Sequence, residues 1–522
     1  MSGRQALTRR TVWPALAGVA QAASMAMPGS GHAQGWLQIL SLLWLARGLV
    51  QITQTQGLRL KPIMRLAAWQ GGVFATAWLA GSFWWLYVSM HDVGGLPSVL
   101  AVLAVLALAA ALALYYALAA AAWVGLSSGL GRQVLSPWQR SALFAALWTL
   151  AELMRGQWLT GFPWGAGGYA HVDGMLSVWA PWVGVYGIGA LAAGLAMRLA
   201  LAGWGWRAVP PLALVWGLCW GMKAWSPAFT ASTGTAQVEL LQANISQNAK
   251  FDVNSGIRDA LQWYDARLRS SSQALVVAPE TAIPLLPRHL PPTYWPDLEK
   301  HFAEPGRPLA LVGVPLGSSS AGYTNSLVAL GSQGLAAYQY DKHHLVPFGE
   351  FIPPGFVWFV RQMQIPLGDF RSGGLHQAPI HWQGQRLAPN ICYEDLFGEE
   401  LAARFKDPLQ APTAFVNVSN IAWFGDTLAV DQHLNISRMR AMELSRPMLR
   451  ATNTGATAII DHQGRVTQQL PRFTRGTLIG SYEGRTGLTP YARWATAWGL
   501  KPLWAICAVV LLLAAWRRRT AP

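Results

Sequence analysis

The chain has 522 residues, of which 52% are hydrophobic and only 12% charged, and its net charge is +15. A soluble chain carries about 25% charged residues. The deficit here lies in residues 1–225 and in the last stretch before the C-terminus, which excludes a wholly soluble protein. The basic residues are dispersed or flank apolar stretches, so membrane topology accounts for them and a nucleic-acid partner is excluded.

A spanning helix needs roughly 20 apolar residues. In chain order, candidate spans fall at 12–28, 36–54, 66–88, 96–126, 139–158, 176–197 and 208–226, with an eighth at 493–516. The first contains Pro14 and Gln21 and resembles a signal peptide, but its removal would leave an odd number of spans. Arg4, Arg9 and Arg10 precede the first span, and Arg59, Lys61 and Arg65 follow the second. Arg132 and Arg140 lie between the fourth and fifth, Arg198 and Arg207 between the sixth and seventh, and Arg517, Arg518 and Arg519 follow the eighth. Of the alternate connections, two carry no Lys or Arg and the third has only Arg155 at its start. Cytoplasmic loops collect Lys and Arg, so both termini are expected in the cytoplasm and the segment between the last two spans on the outer side. The expected domains are 1–228 with seven spans, 236–485 outside the membrane, and 486–522 with the final span and a basic tail.

The outer segment alternates strand and helix patterns. Strands are expected at 236–242, 272–280, 308–317, 385–394 and 412–420, with a pair over 325–344 turning at Gly334. A hairpin turn is expected at His462, Gln463 and Gly464, and helices at 255–271 and 429–448. This mixture predicts a layered α/β sandwich. Glu280, Lys342 and Cys392 each fall at or just after a strand end, where sites gather in α/β sheets. Brought together, the carboxylate could take the thiol proton, the thiolate could attack, and the ammonium could offset the acidic neighbours of Cys392 and stabilise an oxyanion. Spacing alone leaves open whether the three meet. The alternative is an inert, packed thiol.

The stretches "PETAIP" (279–284), "DKHHLVPFGEF" (341–351), "ICYEDLFGE" (391–399) and "VSNIAWFG" (418–425) resemble the carbon–nitrogen hydrolase, or nitrilase, superfamily. "SFWWLYVSM" (82–90), "LTGFPW" (159–164), "RMRAMELSRPMLRATNTG" (438–455) and "TGLTPYAR" (486–493) are similar to its membrane-embedded branch, the apolipoprotein N-acyltransferase family. The resemblance covers nearly the whole chain. It implies an αββα nitrilase-like sandwich beside about eight spans, and a catalytic triad of Glu280 as general base, Lys342 as support for the tetrahedral intermediate, and Cys392 as nucleophile. Glu350, Tyr393 and Glu394 would support the site, and Asn420, Trp423 and Phe424 would line the pocket mouth. It implies a phospholipid acyl donor, a diacylglyceryl apolipoprotein acceptor, a Cys392 thioester, a bacterial inner membrane with the catalytic domain in the periplasm, a monomer, and no cofactor. A tethered amidase, or a lipid or lipoprotein carrier on a dead scaffold, are the competing readings. Ala243, Phe251, Ala278 and Ile421 depart from the family pattern and put pocket shape and substrate preference in question.

Residues 353–370 are apolar for an outer connection and suggest an arm dipping into the bilayer interface on Trp358 and Phe359, or else an ordinary packed loop. Asp395, Glu399 and Glu400 are expected at the surface or a helix start. Glu152 and Arg155 are expected in ion pairs or at an interface, and His171 and Asp173 in a structural loop or at the border of a substrate entrance. His343 and His344 lack the spaced partners of a metal site.

Overall fold

A computed structural model of the chain describes residues 3–54, 59–127, 135–203, 205–225, 227–252, 255–331, 338–360 and 370–520. The expected turn at Gly334 and positions 361–369 of the expected arm lie outside the described residues. The chain divides into two units, one of Met1–Trp84, Val99–Pro227 and Leu500–Pro522, the other of Trp85–Ser98 and Ala228–Gly499.

The first unit is helical. Helix Ser98–Ser127 shows how its sequence packs: Ala101, Val105, Ala109, Ala113 and Tyr116 recur every three or four residues and are buried, while Leu103, Leu106, Leu114 and Leu118 point outward. Small residues facing the bundle and large apolar ones facing out is the arrangement a lipid environment favours. By length and composition, helices Gly35–Thr53, Ser98–Ser127 and Met175–Ala202 can cross a membrane. Two broken pairs raise the number to five if each is one span: Leu60–Ser82 with Leu86–Val93, and Pro490–Trp498 with Lys501–Thr520. The expected spans at 66–88 and 493–516 are thus broken, the second at Gly499, whose φ of 57° favours glycine. Among the others, Val209–Trp225 has only 17 residues and Pro137–Gln157 carries Arg140, Glu152 and Arg155.

Those two charges near the end of Pro137–Gln157 face inward rather than toward an interface. Arg155 donates to the Phe162 and Trp164 carbonyls at 2.6 Å each and to the Tyr116 hydroxyl at 3.0 Å, tying the 158–166 loop to the helix. Glu152 accepts from the Gly167 N–H at 2.9 Å. Buried His171 bonds Gln38 at 2.9 Å.

The second unit is an αββα sandwich. Its strands are β1 (Thr230–Gln242), β2 (Leu275–Val277), β3 (Leu309–Ser318), β4 (Gly322–Leu330), β5 (Gln339–Asp341), β6 (Ile380–Trp382), β7 (Gln385–Ile391), β8 (Ala414–Ser419), β9 (Met448–Thr452), β10 (Ala458–Ile460), β11 (Val466–Gln469) and β12 (Gly476–Gly487). One sheet has the order β12-β1-β2-β3-β4-β5 and the other β11-β10-β9-β8-β7-β6. In each, three central strands run parallel, β1-β2-β3 and β7-β8-β9, with antiparallel neighbours outside. Alternation assigns the faces. Leu275, Val277, Leu309 and Leu311 meet Leu387, Ile391, Val416 and Val418 between the sheets. Val276, Ala278, Ala310 and Val312 face helices Gly256–Ser270 and Tyr294–Ala303. Helices Leu428–Leu444 and Pro490–Trp498 cover the second sheet.

The expected helix over 429–448 stops at Leu444, because Ser445 turns left-handed at φ 47° and Pro447 bars continuation; β9 begins immediately after. Strands β1, β2 and β3 are parallel neighbours, so the turn leaving β2 crosses close over β3. At Gly313 a Cβ would stand 2.2 Å from the Pro279 carbonyl oxygen and 2.7 Å from the Thr281 nitrogen. Gly313→Ala is therefore expected to displace the turn that carries Glu280 and to lower stability by about 1–3 kcal/mol. Thermal unfolding of the two proteins checks this; an unchanged midpoint would refute the close-approach argument.

Candidate active site

Every strand end that the sequence marked delivers its residue to one place. Glu280 leaves β2, Lys342 leaves β5, Cys392 leaves β7 and Asn420 leaves β8. Lys342, only 1% exposed, lies between two carboxylates: its Nζ is 3.4 Å from Glu280 Oε1 and 2.9 Å from Glu350 Oε2. Asn325 of β4 joins the same two carboxylates, its amide donating to Glu280 Oε1 and Glu350 Oε1 at 2.7 Å each. The second oxygen of Glu280 accepts the Asn420 backbone N–H at 2.8 Å, and that of Glu350 accepts the Val346 N–H at 2.8 Å.

These contacts set the protonation states. Burial opposes the Glu280 charge, but Lys342, the Asn325 amide, Lys250 and the Asn420 N–H outweigh it and hold its pKa below the usual carboxylate value. Burial likewise opposes the Lys342 charge, and Glu350 and Glu280 overcome it, raising that pKa well above the usual lysine value.

Cys392 opens a short 3-10 turn, Cys392–Leu396, with φ 58°, a left-handed backbone uncommon for a residue with a side chain. Its carbonyl accepts from Asn417 Nδ2 at 2.9 Å, and its sulfur accepts the Ser419 hydroxyl at 3.6 Å. Burial and the Glu280 charge push the thiol up to about 12, against the opposing pull of Lys342 and Ser419. Lys342 does pull the thiol in the expected direction, but its charge is shared with Glu280 and Glu350, and burial together with the Glu280 charge outweighs it.

The acidic neighbours of Cys392 are each engaged elsewhere. Glu394 accepts from the Tyr340 hydroxyl at 2.9 Å and from the N–H groups of Ile391, His343 and His344 at 2.5, 2.6 and 3.1 Å, fastening the Lys342 loop to the Cys392 turn. Tyr393 donates to the Leu345 carbonyl at 2.6 Å, and its ring lies 5.7 Å from Lys342 Nζ. Glu399 and Glu400 start helix Gly398–Ala403, as expected. Asp395 is a correction: it is fully buried, accepting from His433 Nε2 at 2.9 Å and Ser437 at 2.5 Å, with Arg450 3.5 Å away. Arg450 also donates to Asn417 at 3.1 Å, so this buried network leads to the amide that holds the Cys392 carbonyl. Pairing across the parallel strands aligns Asn390, Asn417 and Arg450 on one face, which is why polar residues stack under Cys392.

The pocket residues divide. Asn420 is buried and structural, tied to Gln247 and Asn453 at 2.8 and 2.9 Å. Trp423 and Phe424 lie in the turn after β8, partly exposed. Phe424 packs on Trp85 with ring centroids 4.3 Å apart. Trp358 is 66% exposed in a short turn of helix, Val357–Val360, with Phe356 and Val357 also exposed; the Phe359 side chain lies outside the described residues. Ala243, Ala278 and Ile421 are buried in ordinary backbone, and Phe251 is exposed. No group of His, Cys, Asp and Glu fit for a metal occurs among the described residues. Sequence reasoning missed Asn325, Ser419 and above all Lys250. "NAKFD" offers no signal for a buried lysine beyond its place before a strand-poor turn, yet Lys250 Nζ reaches the Glu280 carbonyl at 3.2 Å and the Thr281 hydroxyl at 2.5 Å.

Residues 17–198 match the family described as Apolipoprotein N-acyltransferase N-terminal domain, and residues 237–491 match Carbon-nitrogen hydrolase. A protein of Verminephrobacter eiseniae named Apolipoprotein N-acyltransferase is 53% identical, over 94% of this chain and 93% of its own. One of the same name from Ralstonia nicotianae is 46% identical, over 93% of this chain and 90% of its own. A solved carbon-nitrogen hydrolase from Helicobacter pylori aligns with 52% of this chain and 94% of its own, at 16% identity and a TM-score of 0.34.

Removing Asp395 would leave Arg450 buried and short of its anion. Asp395→Ala is expected to cost about 3–5 kcal/mol. Burial disfavours the Asp395 carboxylate, but His433 and Arg450 prevail and its folded pKa is lowered. Its stabilisation is therefore present above the unfolded value of about 3.9 and lost as pH falls through the folded value. Chemical denaturation at pH 7 and in acid checks both; equal loss at the two ends would contradict the assignment.

Proposed function

The chain belongs to the apolipoprotein N-acyltransferase family, and from that premise we propose that it moves a fatty acyl chain from a membrane phospholipid to the α-amino group of an apolipoprotein's N-terminal diacylglyceryl-cysteine. The observation that carries the reading is the buried Glu280–Lys342–Glu350 set acting electrostatically on the Cys392 thiol at the strand ends.

The proposed reaction runs in two halves. Cys392 Sγ attacks the phospholipid ester carbonyl while its proton passes to Glu280. Because the resting thiol holds its proton tightly, transfer and attack go together rather than through a free thiolate. Lys342 supports the oxyanion. The C–O bond then breaks, Glu280 returns the proton to the leaving lysophospholipid oxygen, and a Cys392 thioester remains. The lipoprotein amine attacks that thioester, Glu280 takes its proton, and collapse forms the amide and restores the thiol. Glu350 holds Lys342, and Tyr393 and Glu394 hold the two loops in register. No step calls for a cofactor.

The same proposal takes the chain as a monomer in a bacterial inner membrane, and gives it eight spans, both termini cytoplasmic and residues 236–485 periplasmic, on the distribution of Lys and Arg between spans. The broken and charged helices would count among the eight because their flanking loops keep the alternation. Phe356, Val357 and Trp358 support an interfacial arm by their exposure.

Purified protein given phospholipid and a diacylglyceryl-cysteinyl peptide is expected to produce the N-acyl peptide. Glu280→Gln should slow turnover about 10²–10⁴-fold. With Glu280 below the usual value of about 4.3, the rate should remain flat from neutral pH down to about pH 5, and fall only below that. Free fatty acid in place of acylated peptide would make the chain a hydrolase, and an acid limb centred near pH 6 would remove Glu280 as base.

A further inference from the structure

We propose that Lys250 is a positioning residue for the acylation chemistry, holding the main chain of Glu280 and balancing the second carboxylate of the site. The role rests on the acyl-transfer reading above. Lys250 ends the short helix Gln247–Lys250 and is 3% exposed. Its ammonium donates to the Glu280 carbonyl and the Thr281 hydroxyl. Thr281 has φ 46°, a conformation that persists in a side-chain-bearing residue only where the surroundings hold it. From the other end of the same helix, Gln247 accepts from Asn420 at 2.8 Å, and the Asn420 N–H holds the Glu280 carboxylate. One short helix thus braces Glu280 twice, at its backbone and, through Asn420, at its side chain.

Charge supplies the second half of the argument. Glu280 and Glu350 are two buried carboxylates, and Lys342 is one ammonium between them. Lys250 is the second cation acting on Glu280. With both lysines charged the cluster is neutral, and it stays neutral when the thiol proton moves to Glu280. Without Lys250 the cluster would carry −1 both before and after that transfer, and the sulfur anion would form beside an uncompensated charge. The groups that act on Lys250 are Glu280 from the turn after β2 and Cys392 from the turn after β7. Asp259, on the helix that follows, is engaged by Arg475. Burial brings Lys250 down to about 8 against the pull of Glu280 and Cys392, so the balance is present at neutral pH and lost as pH rises through that value.

The test is the pH dependence of Cys392 alkylation by iodoacetamide in the full-length detergent-solubilised protein, followed by peptide mass mapping. It needs no lipid substrate. In the unaltered protein the rate should climb with pH and flatten near pH 8 as Lys250 loses its charge. Lys250→Arg should keep climbing through pH 8, since a guanidinium stays charged. Lys250→Met should be at least about tenfold slower at pH 7, the effect of losing one opposite charge that acts on the thiol. Three coincident profiles would overturn the assignment. If the methionine variant does not fold, an arginine variant that flattens where the unaltered protein does overturns it equally. Should the profiles separate as expected while phospholipid never acylates Cys392, the acyl-transfer reading fails and the placement of Lys250 stands.

Discussion

A buried ammonium must find anions, and Lys342 finds two. Burying a charge alone costs several kcal/mol, so partners and hydrogen bonds have to close around it. Asn325 bridges the same two carboxylates, Asn420 and Val346 supply backbone donors, and Glu394 fastens the Lys342 loop to the Cys392 turn. Strand order, turn geometry and the glycine at 313 all serve this convergence. The two sheets, with matching strand arrangements, bring their parallel strand ends to it.

The same arrangement acts on the Cys392 thiol. A lysine facing a single thiol would lower its pKa. Here the lysine is spent on two carboxylates, and burial pushes the thiol up to about 12. In the proposed reaction the reactivity therefore resides in Glu280, a carboxylate kept in its charged form, rather than in a standing thiolate. The buried Asp395–His433–Arg450 network under the turn serves geometry, since it reaches Cys392 through the Asn417 amide and the carbonyl.

Much of this could be read in the residues. Apolar runs ending in a charged or nucleophilic residue identified β2, β7 and β8 and placed Glu280, Cys392 and Asn420, because a buried parallel strand must be continuously apolar. What stayed hidden has physical causes. β12 is the longest strand after β1, but "GTLIGSYEGRTG" mixes glycine and charge along an edge where one face is wet. β9 was masked by the helix before it, although Pro447 carried the signal. Asp395 read as a helix-start acid because its partners, His433 and Arg450, are 38 and 55 positions away and meet it only through the fold. Lys250 is hidden for the same reason: burial is a tertiary property, and a lysine in a polar stretch reads as solvated. The apolar helices were legible as such, whereas breaks at 83–85 and at Gly499 depend on local backbone that hydropathy does not encode.

Intact-mass spectrometry of the purified protein after exposure to phospholipid alone addresses the central claim, that this buried charge set makes Cys392 a covalent acyl carrier. The account predicts one added fatty-acyl mass per chain, removed by hydroxylamine and absent from Cys392→Ala. Lysophospholipid release from folded protein with no hydroxylamine-labile adduct, or an adduct that survives in Cys392→Ala, would contradict it.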